Sequence, residues 1–198
     1  MNQRSGEIVG GSGTLPGGVL RETPAHAGDL PVVTRRGLAR GFGHALAVAR
    51  ANVPDWQLRP ISPTEFEWAF ELHRAALGEY VDQTWGWDEA VQRRLFAGSF
   101  DRRPLQVIEV DGTGVGVLEV DERPDELVLG LVELLPAWQN KGLGTDILRW
   151  LLRRAHETHR TLGLSVLNAN PRAAALYERE GLRVVGSGPA KLQMRGAP

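Results

Sequence analysis

One stretch constrains this chain more than any other: Leu131-Val132-Glu133-Leu134-Leu135-Pro136-Ala137-Trp138-Gln139-Asn140-Lys141-Gly142-Leu143-Gly144. An apolar run that reads as a buried strand enters a short turn ending in two glycines. Beyond it, Ile147, Leu148, Leu151, Leu152 and Ala155 recur at helical spacing. A helix that starts this way has several unpaired backbone N–H groups at its first turn. The helix dipole favours an anion there, most naturally a phosphate, and glycine admits it closely because no Cβ intervenes. We assign the N–H groups around Gln139, Asn140, Lys141, Gly142, Gly144 and Thr145 to a pyrophosphate. The turn lacks the Gly-Lys-Ser/Thr ending of a nucleoside triphosphate loop, because Lys141 precedes Gly142. It also lacks the third glycine of the dinucleotide fingerprint.

A second motif lies downstream. Residues 162–167 read as a strand, and Asn170 and Pro171 then suit a helix start, as N-cap and first-turn residue. Gly181 suits its end. Gln139-x-x-Gly142-x-Gly144, with Pro136 ahead of it, is followed by Asn170-x-x-Ala173-x-x-Leu176-Tyr177-x-x-x-Gly181. Together and in this order, the two resemble the acetyl-CoA-binding motifs of the GNAT superfamily of N-acetyltransferases, in particular bacterial members of unassigned substrate. Leu182 stands where the family usually has Phe. The resemblance spans roughly residues 56–195.

The resemblance implies an α/β fold, an α+β mixed sheet in the order β-α-α-β-β-β-α-β-α-β-β, with a splayed central sheet. It implies acetyl-CoA as acyl donor, no metal, and transfer of acetyl to a primary amine by direct attack in a ternary complex. The backbone of Leu134 and Leu135 would pair with the pantetheine, and the Leu134 N–H would polarise the thioester carbonyl. Tyr177 would give a proton to the departing thiolate; a phenol, with a reference pKa near ~10, suits that task. Alternatively, Tyr177 only packs against the cofactor. Asn170 would contact the cofactor, cap its helix, or do both. Lys141 and Arg172 are candidate phosphate partners, or ordinary exposed cations. A sensor or interaction module that binds acyl-CoA without turnover is the rival reading on the same fold, and another acyl donor is a third.

An alkyl ammonium must lose a proton before it attacks. Glu133, at the end of the central strand, is the first candidate base, with Glu119 and His73 behind it. If the strand alternates cleanly, Glu133 and Leu135 share one face, and a bulge would change this. Between the first two helices, Glu79 to Asp88 holds three aromatics among carboxylates. Tyr80, Asp82, Trp85 and Trp87 suit a cationic amine, small-molecule or peptide, through charge and cation–π attraction. Otherwise Trp85 and Trp87 are core or lid residues and Asp88 only caps a helix. His156 and His159 have a spacing that can bind metal, but no third ligand is evident.

The remaining organisation follows from pattern. Residues 1–54 read as an N-terminal extension, flexible where Gly and Pro dominate to about residue 30, with a possible short helix over 35–51. That segment is a packing arm or a basic amphipathic helix. Residues 55–198 read as the acetyltransferase domain. Expected elements are a strand at 57–61, helices at 64–77 and 88–97, a loop at 78–87, and strands at 105–110, 115–120 and 126–135. A helix to about 159, a helix at 171–180 and strands at 182–187 and 190–194 complete the set. With 23 basic and 24 acidic residues, no general nucleic-acid binder is indicated. The absence of cysteine excludes disulfides and a Cys acyl-enzyme and is compatible with the cytoplasm. No apolar run spans a membrane and no secretory signal is evident. A homodimer is expected only by family analogy.

Overall fold

The apolar runs of the second half of the chain form the centre of one mixed sheet. The computed structural model describes residues 33–34, 53–100 and 105–197. Most of the expected 1–54 extension, including the candidate helix at 35–51, lies outside them. The strands are β1 (Val33–Thr34), β2 (Trp56–Pro60), β3 (Leu105–Val110), β4 (Thr113–Glu122), β5 (Glu126–Leu134), β6 (Thr161–Leu167), β7 (Arg183–Ser187) and β8 (Lys191–Gly196). The helices are α1 (Phe66–Trp85), α2 (Glu89–Phe100), α3 (Leu143–Glu157) and α4 (Pro171–Arg179). Sheet order is β1-β2-β3-β4-β5-β6-β8-β7. All neighbours are antiparallel except β5 and β6. From β2 onward this is the expected element order; β1, which pairs with β2, precedes it.

The apolar stripe of α3 packs on one face with α4, around Ile147, Leu148, Leu151, Leu127 and Leu162. On the other face α1 and α2 enclose Phe70, Phe96, Phe100 and Val117. The β3–β4 turn is tighter than expected. Asp111 (φ 50°) and Gly112 (φ 74°) form a two-residue turn with both residues in the left-handed region. Arg59 ties β2 to β3 and to the start of α1, donating to Glu109 Oε1 at 2.7 Å and Glu65 Oε1 at 2.7 Å. Its guanidinium holds both carboxyls below the ordinary carboxylate range.

Two departures from the expected elements bear on the site. The first helix does not stop at Leu77, and the expected loop at 78–87 is mostly helix. Gly78 is buried, with Trp87 as its neighbour, and does not terminate the helix. The stop comes at Gly86 (φ 82°), whose N–H donates to the Asp82 carbonyl at 2.9 Å. The second departure is a bulge. Val120 pairs with Leu129 and Glu119 with Leu131, so Gly130 is an extra residue in β5. Leu127 and Leu129 therefore face α3, whereas Leu131 and Leu135 face α1 and α2. Beyond the bulge alternation is regular, and Glu133 shares the α1 face with Leu131 and Leu135.

Pairing between β5 and β6 runs only from Glu126–Thr161 to Leu129–Leu164. Past that point β5 stays with β4, β6 stays with β8, and the two central strands part. At the far edge, β7 exposes Val184 and Val185 and carries its own bulge at Val185, between Val184–Met194 and Gly186–Gln193.

Gly116 is a close approach that no side chain could share. A Cβ there would lie 2.4 Å from the Glu133 carbonyl oxygen and 2.7 Å from Leu134 Cδ2. Gly116→Ala is expected to cost about 2 kcal/mol, because β4 and β5 must separate to admit it. That corresponds to a melting temperature lower by roughly 4–8 °C in a scanning calorimeter. An unchanged melting temperature would refute the contact.

Candidate active site

The parting of β5 from β6 opens a cavity of about 410 Å³. Its lining comes from α1, β5, the turn at 139–145, α3 and α4. The register determines what β5 offers it. Leu135 N–H donates to the Val115 carbonyl at 2.9 Å, so 115–135 is a hydrogen-bonded pair and Gly116–Leu134 is not. In antiparallel pairing, the N–H and C=O of a non-hydrogen-bonded residue point away from that partner strand. Leu134 therefore directs its amide into the gap. Its carbonyl accepts from Gln139 Nε2 at 3.0 Å, which fastens the turn to the strand.

Leu135 departs from the expectation that both leucines pair with the cofactor. Its N–H is used by Val115, and its carbonyl accepts from Trp138 N at 2.7 Å. It packs with the α1 and α2 cluster instead.

The turn has the form expected of an anion site. Pro136–Trp138 makes a single 3-10 turn, then Asn140 (φ 61°) and Gly142 (φ 80°) take left-handed conformations. Gly142 is the N-cap of α3 and supplies no side chain to satisfy the first-turn N–H groups. Gln139, Asn140, Gly142, Gly144 and Thr145 all line the cavity. Arg172 also lines it and donates to Asn140 Oδ1. Lys141 is not in the lining; its Nζ sits 5.0 Å from the Trp138 ring centroid. Bare amides at a helix start, a left-handed glycine and a neighbouring guanidinium fit a pyrophosphate. The free strand edge at Leu134 fits a pantetheine amide.

Asn170 caps α4, with Oδ1 accepting from Ala173 N at 3.0 Å, and also lines the cavity. Further along the same helix, Tyr177 turns inward. The phenol is buried against the cavity, and burial pushes its pKa up to about 12. It therefore remains a proton donor throughout the physiological range.

Glu133 lies on the cavity wall with its side chain fully buried. Its Oε1 is 2.7 Å from His73 Nδ1, across from α1, and its Oε2 has no hydrogen-bond partner among the described residues. The two lesser base candidates separate here. His73 contacts Glu133, whereas Glu119 lies beside Gly130, whose added Cβ would meet Glu119 Oε1 at 2.5 Å.

The four expected substrate residues do not assemble together. Tyr80 lines the cavity. Trp87 packs on His73, with ring centroids 6.1 Å apart, and donates to Glu89 Oε2. Asp82 Oδ1 accepts from Trp87 N at 2.9 Å and so shapes the end of α1. Trp85 is 59% exposed, with Lys191 Nζ 5.8 Å from its ring centroid. Asp88 caps α2 through Val91 N. Sequence reasoning missed Asp146, whose buried Oδ2 accepts from the Trp56 indole N–H at 2.9 Å. Only an acidic residue in an otherwise apolar helix stripe hinted at it. Ala76, Leu77, Leu148, Leu151 and Leu176 also line the cavity, although Leu148 and Leu151 read only as positions of the apolar helix stripe. Among the described residues, no three His, Asp or Glu side chains come together to hold a metal ion. Nor, among them, is any helix long and apolar enough to cross a membrane.

These features fit an acyltransferase of the GNAT type. Residues 65–182 match the model of the Acetyltransferase (GNAT) family, which is more than half of the chain. The chain belongs to that family and is accordingly an acyltransferase. No curated protein matches it by sequence. Among solved structures, it is similar to the PaiA N-acetyltransferase of Thermoplasma acidophilum, solved in complex with coenzyme A. That likeness has a TM-score of 0.59 and 14% identity, over 72% of this chain and 99% of the other. An acetyltransferase from Thermus thermophilus gives a TM-score of 0.56 and 21% identity, over 71% and 95%. The ribosomal-protein-S18-alanine N-acetyltransferase of Escherichia coli gives 0.53 and 20%, over 71% and 92%. At these identities the structural likeness is one of fold.

Two outcomes test the site. Gly142→Ala carries the strain of a left-handed backbone, of order 1–2 kcal/mol, and a Cβ contact of 3.0 Å with Val53 Cγ2; Gly142→Asp shares both and adds a negative charge where the pyrophosphate is expected. Acetyl-CoA affinity, measured by calorimetric titration, should fall at least about tenfold further in Gly142→Asp than in Gly142→Ala, a difference of ~1.4 kcal/mol. Equal affinities would remove the pyrophosphate assignment. The second outcome concerns alkali. Tyr177 has a folded pKa above its unfolded value near ~10, so its contribution is complete below that pH and lost as pH rises towards 12. Urea unfolding at stepped pH should show wild type losing roughly 2–3 kcal/mol relative to Tyr177→Phe across this window. Parallel curves would contradict the burial.

Proposed function

We propose that residues 55–198 transfer acetyl from acetyl-CoA to a primary amine by direct attack in a ternary complex. What carries this reading is the meeting, on one cavity, of the Leu134 edge, the bare start of α3, Tyr177 and Glu133. Asn140, Gly142, Gly144, Thr145 and Arg172 hold the pyrophosphate of the donor. Asn170 and the backbone of Leu134 orient its pantetheine arm. The Leu134 N–H points into the gap and donates to the thioester oxygen as negative charge develops there. Glu133 accepts the proton that the acceptor amine must lose. Tyr177 delivers its proton to the leaving thiolate.

The acceptor enters beside α1, where Tyr80 provides an aromatic wall. A small-molecule amine and a peptide amine both fit this chemistry. The E. coli neighbour is by its description an alanine N-acetyltransferase of a ribosomal protein, which keeps protein amines among the acceptors to be assayed.

The direct test is acetyl-CoA-dependent release of free thiol across a panel of amines, peptides and polyamines. With the best acceptor, Tyr177→Phe should lower kcat about 100-fold while leaving acetyl-CoA affinity within about twofold. Glu133→Gln should lower kcat/KM by roughly 100–1,000-fold. Undiminished turnover in either variant would remove that residue's role. Tight binding without turnover on any acceptor would favour an acyl-CoA sensor.

A further inference from the structure

We propose that His73 is a positioning residue for the proton-accepting carboxylate, holding Glu133 so that only Oε2 is left to meet the acceptor nitrogen. This rests on the reading of Glu133 as the proton acceptor. His73 Nδ1 lies 2.7 Å from Glu133 Oε1. An ionised carboxylate only accepts hydrogen bonds, so Nδ1 carries the hydrogen. The Glu133 side chain is completely buried, and Oε2 is without a partner among the described residues, although nearly all buried polar atoms have one. The cavity runs along this residue. A buried carboxylate with one oxygen tethered and the other free has the form of a site prepared for an incoming N–H.

The imidazole is itself restrained. Phe96, Trp87 and Phe70 surround it at centroid distances of 5.1, 6.1 and 6.5 Å. His73 belongs to α1, one turn before the cavity-lining Ala76 and Leu77, whereas Glu133 is turned towards α1 by the bulge at Gly130. The two residues are 60 positions apart and meet only because of that bulge.

The two carboxylate oxygens then have separate tasks. The acceptor enters as the neutral amine. As its nitrogen bonds to the thioester carbon, an N–H bond breaks and Oε2–H forms; the C–S bond breaks and the thiolate takes the Tyr177 proton. Glu133 then gives its proton to solvent and Tyr177 regains one, which restores both groups. The Nδ1 hydrogen stays on the imidazole and remains bonded to Oε1, so His73 neither gains nor loses a proton.

Two substitutions of opposite kind test this. His73→Phe keeps an aromatic ring among Phe70, Phe96 and Trp87 but removes the donor. His73→Asn removes the ring but keeps an N–H at the position of Nδ1. The acetyl-CoA Kd, melting temperature, acceptor KM and kcat are measured for each in the full-length protein. His73→Phe leaves the buried carboxylate without its donor and should lower the melting temperature by several degrees, while Kd and KM hold and kcat falls about 10–100-fold, the scale of a misdirected reacting group. His73→Asn should recover most of that loss. Wild-type kcat in His73→Phe, or equal loss in both variants, would overturn the proposal. In a Glu133→Gln background, His73→Phe should have no further effect on kcat; an undiminished additional loss would overturn it as well. Full activity in Glu133→Gln alone would instead discard the reading of Glu133 as the proton acceptor.

Discussion

Hydrogen bonding between β5 and β6 ends at Leu129 and Leu164, and every backbone polar group beyond that point needs another partner. β4 satisfies one edge of β5, and β8 satisfies one edge of β6. The two inner edges are left facing each other across a gap. In an ordinary sheet this would be a defect. Here it leaves a strand-like edge inside the molecule, with backbone groups and apolar walls side by side. The start of α3 lies at the end of the same strand, so edge and helix start are aligned by the chain itself. Gln139 strengthens that alignment by reaching back to the Leu134 carbonyl.

The gap would be of little use if β5 kept one alternation throughout. Leu127 and Leu129 must face α3 to complete the larger core, and Glu133 must face α1 to meet His73. A regular strand puts residues of the same parity on one side. The extra residue at Gly130 reconciles the two demands. Gly116 lets β4 follow β5 closely past the change. Trp56 and Asp146 then anchor the first turn of α3 to the start of β2, over a separation of 90 positions. A hydrogen bond to a charged group contributes about 1.5–3 kcal/mol, comparable to burying one large apolar side chain. The carboxylate also complements the helix dipole in that turn.

Much of this was legible in the sequence, for a physical reason. The glycine turn and the helix-cap pattern at Asn170 are local, and local backbone requirements leave local residue patterns. The element order and the place of Asn170 at its helix start could therefore be read directly, whereas α3 begins at Leu143, inside the stretch read as turn. What was not legible depends on pairing between distant segments. No pattern around Glu133 announces His73, and nothing near Leu135 reveals that Val115 uses its N–H. Gly78 looked like a helix end but is a packing position. Gly86 is the true stop, which moves Tyr80, Asp82 and Trp85 from a loop onto α1. Their separation followed from that change, because residues on a helix point in different directions around its axis.

The bulge at Val185 has a bearing on the protein's behaviour at high concentration. An outer strand with exposed valines is a template for strand addition by another molecule. Val185 breaks the regular spacing of backbone donors and acceptors along β7 after its second residue. A strand arriving from solution would match two or three positions and then lose register. A sheet whose central strands part is thus protected at its rim against runaway self-association.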